Sequence, residues 1–126
     1  MSEKKFVTAI NCMDGRVQLP VFHWMQNEFG AEYVDMITAA GPEKVVLSSS
    51  EEVEYIKAKV RISHEAHGSE VLAIAGHHDC AGNPVDRDKK LAEIAEAVDA
   101  IKSWGFPIKV IGLYVNENWQ VETVIS

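Results

Sequence analysis

Three side chains of this chain have the chemistry of metal ligands, and two short loops carry them. Asn11-Cys12-Met13-Asp14-Gly15-Arg16 holds one thiol. Gly76-His77-His78-Asp79-Cys80-Ala81-Gly82-Asn83-Pro84 holds two imidazoles, of which His77 is the favoured ligand, and a second thiol. Thiolate and imidazole are the donors zinc favours in tetrahedral geometry. The His-x-x-Cys step lets His77 and Cys80 reach one ion, and Cys12 supplies a third corner from a distant part of the chain. Three protein ligands leave a fourth position for water, whose pKa on zinc falls to about 7, so a nucleophile becomes available at neutral pH.

Asp14 and Arg16 follow Cys12 within the same loop. A carboxylate beside such a water can accept its hydrogen bond and orient it. A bidentate Arg16 would keep that carboxylate ionised and fix its direction. Other uses of these residues stay open. Asp14 can take the fourth position itself and close the site, or Asp14 and Arg16 can form an ion pair that only ties the loop. Cys12 and Cys80 can be buried thiols, or a disulfide on oxidation. His78 competes with His77 as ligand; otherwise it shuttles protons or faces solvent. Asp79 suits a backbone cap of its loop, or else a hydrogen bond to a metal ligand. His64 and His67 lie three apart on a helical segment, a spacing that can bind metal but more often marks a surface. His23 and Trp24 read as packing or interface residues, and Trp104 and Trp119 belong to no motif.

The elements that must position the two loops alternate between strand and helix. Phe6 to Ile10 is short, apolar and partly β-branched, as a buried strand is. Leu19 to Phe29 has Val21, Phe22, Met25 and Phe29 at helical spacing, closed by Gly30. Glu32 to Thr38 reads as a second strand, ending in a turn at Ala39-Ala40-Gly41-Pro42. Ser48, Ser49 and Ser50 before Glu51 and Glu52 read as a helix cap with acids in the first turn, and Val53, Ile56 and Val60 carry that helix towards Gly68. Val71 to Ala75 is the clearest strand and runs directly into the second loop. A helix from about Asp86 to Trp104 places Leu91, Ile94, Ala95, Val98 and Ile101 on one face. Ile108 to Val115 forms a fourth strand, and Val121 to Ile125 is a candidate fifth at an edge.

This pattern predicts an α/β three-layer sandwich: a mainly parallel sheet in the order 2-1-3-4, with a candidate edge strand 5, in a single domain over residues 1–126. In that order strands 1 and 3 are neighbours and the direction of winding reverses between them. Ligands bind at such a switch point, outside the carboxyl ends of the strands. Cys12 lies just past strand 1, and His77 and Cys80 just past strand 3, so the three are expected to converge there.

Composition narrows the function classes. The 126 residues are 47% hydrophobic and 25% charged, as in an ordinary globular protein. A net charge of -7 argues against nucleic acid or an anionic membrane as partner, since both need a basic face. No apolar run approaches the roughly 20 residues of a spanning helix. The polar start and the short Phe6–Ile10 run are unlike a signal peptide, so the expected compartment is the cytoplasm, where thiols stay reduced. A phosphatase loop would need Arg six positions after Cys12, where Gln18 stands. A dinucleotide site would need a Gly-x-Gly-x-x-Gly turn and a thioredoxin-like site a Cys-x-x-Cys; neither occurs.

The two loops together resemble those of β-class carbonic anhydrases. Cys12-Met13-Asp14-Gly15-Arg16 is similar to that family's Cys-x-Asp-x-Arg motif, and Gly76 to Gly82 to its Gly-His-x-x-Cys-Gly-Gly-type loop. The resemblance covers roughly Phe6 to Pro84. It implies zinc on Cys12, His77 and Cys80, with Asp14 and Arg16 as catalytic dyad. The implied reaction is the reversible hydration of carbon dioxide to bicarbonate. Members share their pocket between subunits, which implies a homodimer or higher homo-oligomer; Val21, Phe22, Trp24 and Met25 offer an apolar surface for it. The family commonly begins with helices that embrace a partner, an arm expected to be missing from this short member. Ile37-Thr38-Ala39-Ala40-Gly41-Pro42 stands where an Arg-Asn-Ala-Gly-like stretch is common, and Ala81 where a Gly is. Two alternatives accompany this reading. One is a non-enzymatic domain whose zinc is closed off by Asp14 in addition to the two cysteines and the histidine. The other is a related enzyme acting on carbon disulfide or carbonyl sulfide.

Overall fold

The computed structural model describes residues 4–126. β1 (Phe6–Cys12) leads into α1 (Gln18–Phe29), and β2 (Tyr33–Ala39) into the short α2 (Pro42–Val46) and then α3 (Glu52–Glu65). β3 (Val71–His77), α4 (Arg87–Lys102), β4 (Lys109–Val115) and β5 (Val121–Ile125) complete the chain. The sheet order is β2-β1-β3-β4-β5. The first four strands are parallel, because each connection between them is long enough to cross over, and β5 returns antiparallel to β4 after a short turn. This is the predicted order, with the fifth strand at the edge.

Strand pleating sends alternate side chains to opposite faces, and each face finds a helical cover. Val7, Ala9, Ala73, Ala75, Ile111 and Leu113 share one core with Val21 and Met25 of α1. Ile10, Leu72, Ile74 and Val110 share the other with Ile56 and Val60 of α3 and Ala97, Val98 and Ile101 of α4. Each fully buried Ile, Leu or Met contributes about 1.5–3 kcal/mol relative to exposure. α1 ends where Gly30, at φ 60°, turns left-handed and donates its N–H to the Gln26 carbonyl. α4 begins at Asp86, whose carboxylate accepts the Lys89 N–H at 2.9 Å. No helix among the described residues is long and apolar enough to cross a membrane.

Local expectations fail at four places. The turn predicted at Ala39 to Pro42 runs into α2, because Pro42 has the φ a first helical position needs. The serine run does not cap α3 with a side chain; Ser48 Oγ donates to the Val45 carbonyl and closes α2 instead. On α4, Leu91 is only half-buried while Lys90 is buried with Ile94, Ala97, Val98 and Ile101. Val21 and Met25 are fully inside their own core, so they offer no surface for a second subunit.

His64 and His67 also separate. His64 Nδ1 meets the Ser69 carbonyl at 2.8 Å, while His67 Nδ1 meets Asp35 Oδ2 at 2.7 Å and stacks on Phe6. Asp35 Oδ2 also accepts from Ser63, which joins Thr8 and Ser69 in a hydroxyl cluster beneath β1.

Candidate metal centre

Parallel pairing of β1 with β3 brings their carboxyl ends to the same rim of the sheet. Cys12 is the last residue of β1 and His77 the last of β3, with Cys80 one loop step beyond. Their donor atoms all lie within 4.8 Å of one another, the one such group of three or more His, Cys or acidic side chains among the described residues. All three are buried: 4% exposed for Cys12, 1% for His77 and 3% for Cys80. The two Sγ atoms are 3.9 Å apart, too far for a disulfide. Two thiolates about 2.3 Å from a tetrahedral ion would stand about 3.8 Å apart.

The His77 ring carries a second mark of a metal ligand. Its Nδ1 lies 2.6 Å from the His78 carbonyl oxygen, which can only accept, so Nδ1 bears the proton. Nε2 is then a bare lone pair, buried and with no hydrogen-bond partner. Leaving such a group unpaired costs about 1–3 kcal/mol, which a cation at the thiols would relieve. His78 is exposed, its N–H is spent on the Val115 carbonyl at 2.8 Å, and its ring meets the edge of Trp119.

Asp14 stands beside this group but is turned to Arg16. The Arg16 backbone N–H reaches Asp14 Oδ1 at 2.9 Å, and Nη2 of its guanidinium reaches Oδ2 at 2.6 Å. Nε donates to both oxygens, at 3.0 and 3.2 Å. The Arg16 side chain, then its backbone N–H, hold the Asp14 carboxyl far below the usual carboxylate range, and partial burial opposes them weakly. In return Asp14, then Asp79, raise the Arg16 guanidinium further above its ordinary value. Gln18 locks the loop by donating to the Cys12 and Asp14 carbonyls at 2.6 and 3.0 Å.

Sequence reasoning missed three parts of the surroundings. Asp79 does not cap its loop: the one hydrogen bond to its carboxylate among the described residues comes from Arg16 Nη1, which reaches Oδ2 at 3.1 Å. Trp119 lies over the Arg16 guanidinium, 4.7 Å from ring centre to Cζ. The third part is a buried polar knot under the Cys80 loop. Lys90 Nζ donates to Glu43 Oε2 and to the Asn83 carbonyl, both at 2.9 Å. Asn83 Nδ2 donates to Glu43 Oε2 at 2.9 Å and to Glu93 Oε1 at 3.0 Å. Lys90 is 1% exposed and Glu43 0%. The loop is also pressed onto the end of β2: a Cβ on Gly82 would sit 2.6 Å from the Ala40 carbonyl carbon. Glycine is needed there for close approach of two backbones. The one sequence signal for the knot was an acid, Glu43, directly after a Gly-Pro step between apolar segments.

A cavity of about 500 Å³ opens beside the centre. Arg16, His77, Cys80, Arg87, Lys90 and Tyr114 contribute to its wall. Burial pushes the Tyr114 phenol above its ordinary value, with the nearby Arg87 pulling the other way.

The fold and the three-donor cluster together define a mainly parallel α/β protein with a thiol–imidazole group that could hold a metal ion at its topological switch point. A family model described as "Putative carbonic anhydrase" matches residues 2–125. The chain belongs to that family. Among curated proteins, none matches it. Among solved structures it is similar to a carbonic anhydrase from Streptococcus mutans, with 18% identity over 97% of this chain and 83% of that one, at a TM-score of 0.65. It is also similar to the β-carbonic anhydrase CafD of the filamentous fungus Aspergillus fumigatus, with 11% identity, coverage of 99% and 91%, and a TM-score of 0.66. A third similar structure comes from a study of two tetrameric β-carbonic anhydrases of Sordaria macrospora, with 10% identity, coverage of 97% and 81%, and a TM-score of 0.56. Identities this low speak for a shared fold.

Proposed function

We propose that the chain binds one zinc ion through Cys12, His77 and Cys80 and catalyses the reversible hydration of carbon dioxide to bicarbonate. The observation that carries the reading is the His77 imidazole, which has a buried, unpartnered Nε2 and a ring nitrogen within 4.8 Å of two thiols, themselves at the spacing a tetrahedral ion imposes. Zinc with three protein ligands supplies a water of pKa about 7 and polarises what binds beside it.

The chain's own residues do the rest. His78 lends its carbonyl to fix the His77 tautomer. Asp14, kept ionised by Arg16, can accept a proton in a hydrogen bond and orient its donor, but cannot itself hold that proton near neutral pH. Arg16 fixes the carboxylate's direction through bidentate contact. Four hydrogen bonds to Arg16 favour this open arrangement over one in which Asp14 closes the site.

Residues 1–126 act as one zinc domain in this reading, in the reducing cytoplasm that keeps Cys12 and Cys80 available as ligands. Assembly into a homodimer or higher homo-oligomer is part of it, supported by the tetrameric enzymes of similar fold. Light scattering on the purified chain would give the state. Stopped-flow hydration of carbon dioxide by zinc-loaded protein tests the activity. A rate no greater than buffer alone, at neutral and at alkaline pH, with zinc still bound, would sink it.

A further inference from the structure

Asp79 and Trp119 are the two non-glycine residues with positive φ among the described residues, at 57° and 58°. An L side chain crowds its own backbone there, so such conformations persist only where the surroundings enforce them, and they gather at functional sites. Both of these residues touch the same side chain. Asp79 accepts Arg16 Nη1 on Oδ2 and Nη2 on its backbone carbonyl, each at 3.1 Å. Trp119 covers the guanidinium at 4.7 Å.

The two come from separate loops, and the turn that presents Trp119 is itself braced. Asn116 Oδ1 accepts the N–H groups of Asn118 at 2.9 Å and Gln120 at 3.1 Å, and the Asn116 carbonyl accepts the Trp119 N–H at 2.9 Å. Arg16 needs such support. Its side chain is 46% exposed, and an exposed ion pair alone holds a long side chain loosely. A second carboxylate, a carbonyl and an aromatic face add to the hold on the guanidinium, which gives three of the four hydrogen bonds that Asp14 receives from Arg16.

We propose that Asp79 and Trp119 are positioning residues: they fix Arg16, which holds the Asp14 carboxylate off the fourth position of the metal, so that small anions and water can enter it. The last step rests on the zinc reading above; the clamp on Arg16 does not.

Two readouts on the full-length chain test this. The first is the NMR signal of Arg16 Nε–H, assigned by its loss in Arg16→Lys. The indole shields it in the wild type; Trp119→Ala should abolish that ring-current shift and Trp119→Phe should keep most of it. The second is azide binding to the cobalt-substituted protein, followed by visible absorption. Trp119→Ala and Asp79→Asn should bind azide about threefold to fivefold more weakly, because a released Asp14 competes for the same position. Asn tolerates the left-handed backbone, so Asp79→Asn removes the charge without breaking the turn. Trp119→Phe should restore affinity and so separate positioning from loss of fold. An Arg16 shift unchanged in Trp119→Ala overturns the clamp, and equal azide affinity in all variants overturns its effect on Asp14. Failure of the wild type to take up cobalt would defeat the metal reading, with the NMR shift then deciding the clamp alone.

Discussion

Lys90→Met is the perturbation that best probes how the Cys80 loop is held. Methionine keeps the aliphatic stem of this α4 residue and its place beside Gly76 of β3 but removes the ammonium. Glu43 then stays 0% exposed, with Oε1 already lacking a partner and Oε2 left with Asn83 Nδ2 alone. Removing one partner of a buried pair costs about 3–5 kcal/mol, because the other charge is left uncompensated. The native state of a domain this size is stable by about 5–15 kcal/mol, so the variant should fold but stand near its limit. At roughly 4 °C per kcal/mol, Tm should fall by about 12–20 °C.

The double variant Lys90→Met/Glu43→Leu separates charge from packing. It removes both ions together, and Asn83 Nδ2 keeps Glu93 Oε1 at 3.0 Å. Replacing a buried pair with apolar groups is often neutral, so the double variant should lie within about 1–2 kcal/mol of the wild type and be more stable than Lys90→Met alone. Urea unfolding followed by circular dichroism gives all the free energies, measured once with excess zinc and once with chelator so that metal binding does not mask the difference. A Lys90→Met cost under about 1 kcal/mol, or a double variant that merely adds the two single losses, would refute the reasoning.

Cys80→Ser should strip zinc and lower stability, whereas His78→Ala should keep zinc at one equivalent; metal analysis of the gel-filtered proteins distinguishes the two histidines. Asp14→Ala should retain zinc and lose carbon dioxide hydration, and equal activity would remove it from the mechanism. Gly82→Ala should cost about 1–3 kcal/mol in thermal melts, since the new Cβ has only backbone to push against and the loop bearing Cys80 must shift. Glu122 adds a pH signature. Arg87, then Asn116, depress its carboxyl below the ordinary 4.5, so its contribution is present above that pH and is lost as pH falls through the folded value. Glu122→Gln should therefore be less stable than the wild type at neutral pH, with the gap closing in acid unfolding below about pH 4.

The contrast between ligands and surroundings explains what the sequence could tell. Strand order was legible because uninterrupted apolar runs such as Val71–Ala75 alternate with amphipathic segments, and that pattern admits few topologies. The meeting of Cys12, His77 and Cys80 was legible because residue type singles them out and each lies at or just past the end of a recognisable strand. What stayed hidden depends on partners that meet only in space. Lys90 reads as a surface charge until Glu43 is placed under it, and Trp119 has no meaning until the turn after β4 lies over Arg16. Pro42 misled for a different reason: the same fixed φ suits a turn and a first helical position, and only the burial of Val46 behind it decides between them. Asp14 sits between the two classes. Its neighbour Arg16 was visible at two residues' distance, but whether the pair is rigid depends on Asp79 and Trp119, which come from other loops. The three donors therefore support the proposed metal, while the proposed clamp on Arg16 rests on residues that no local motif contains.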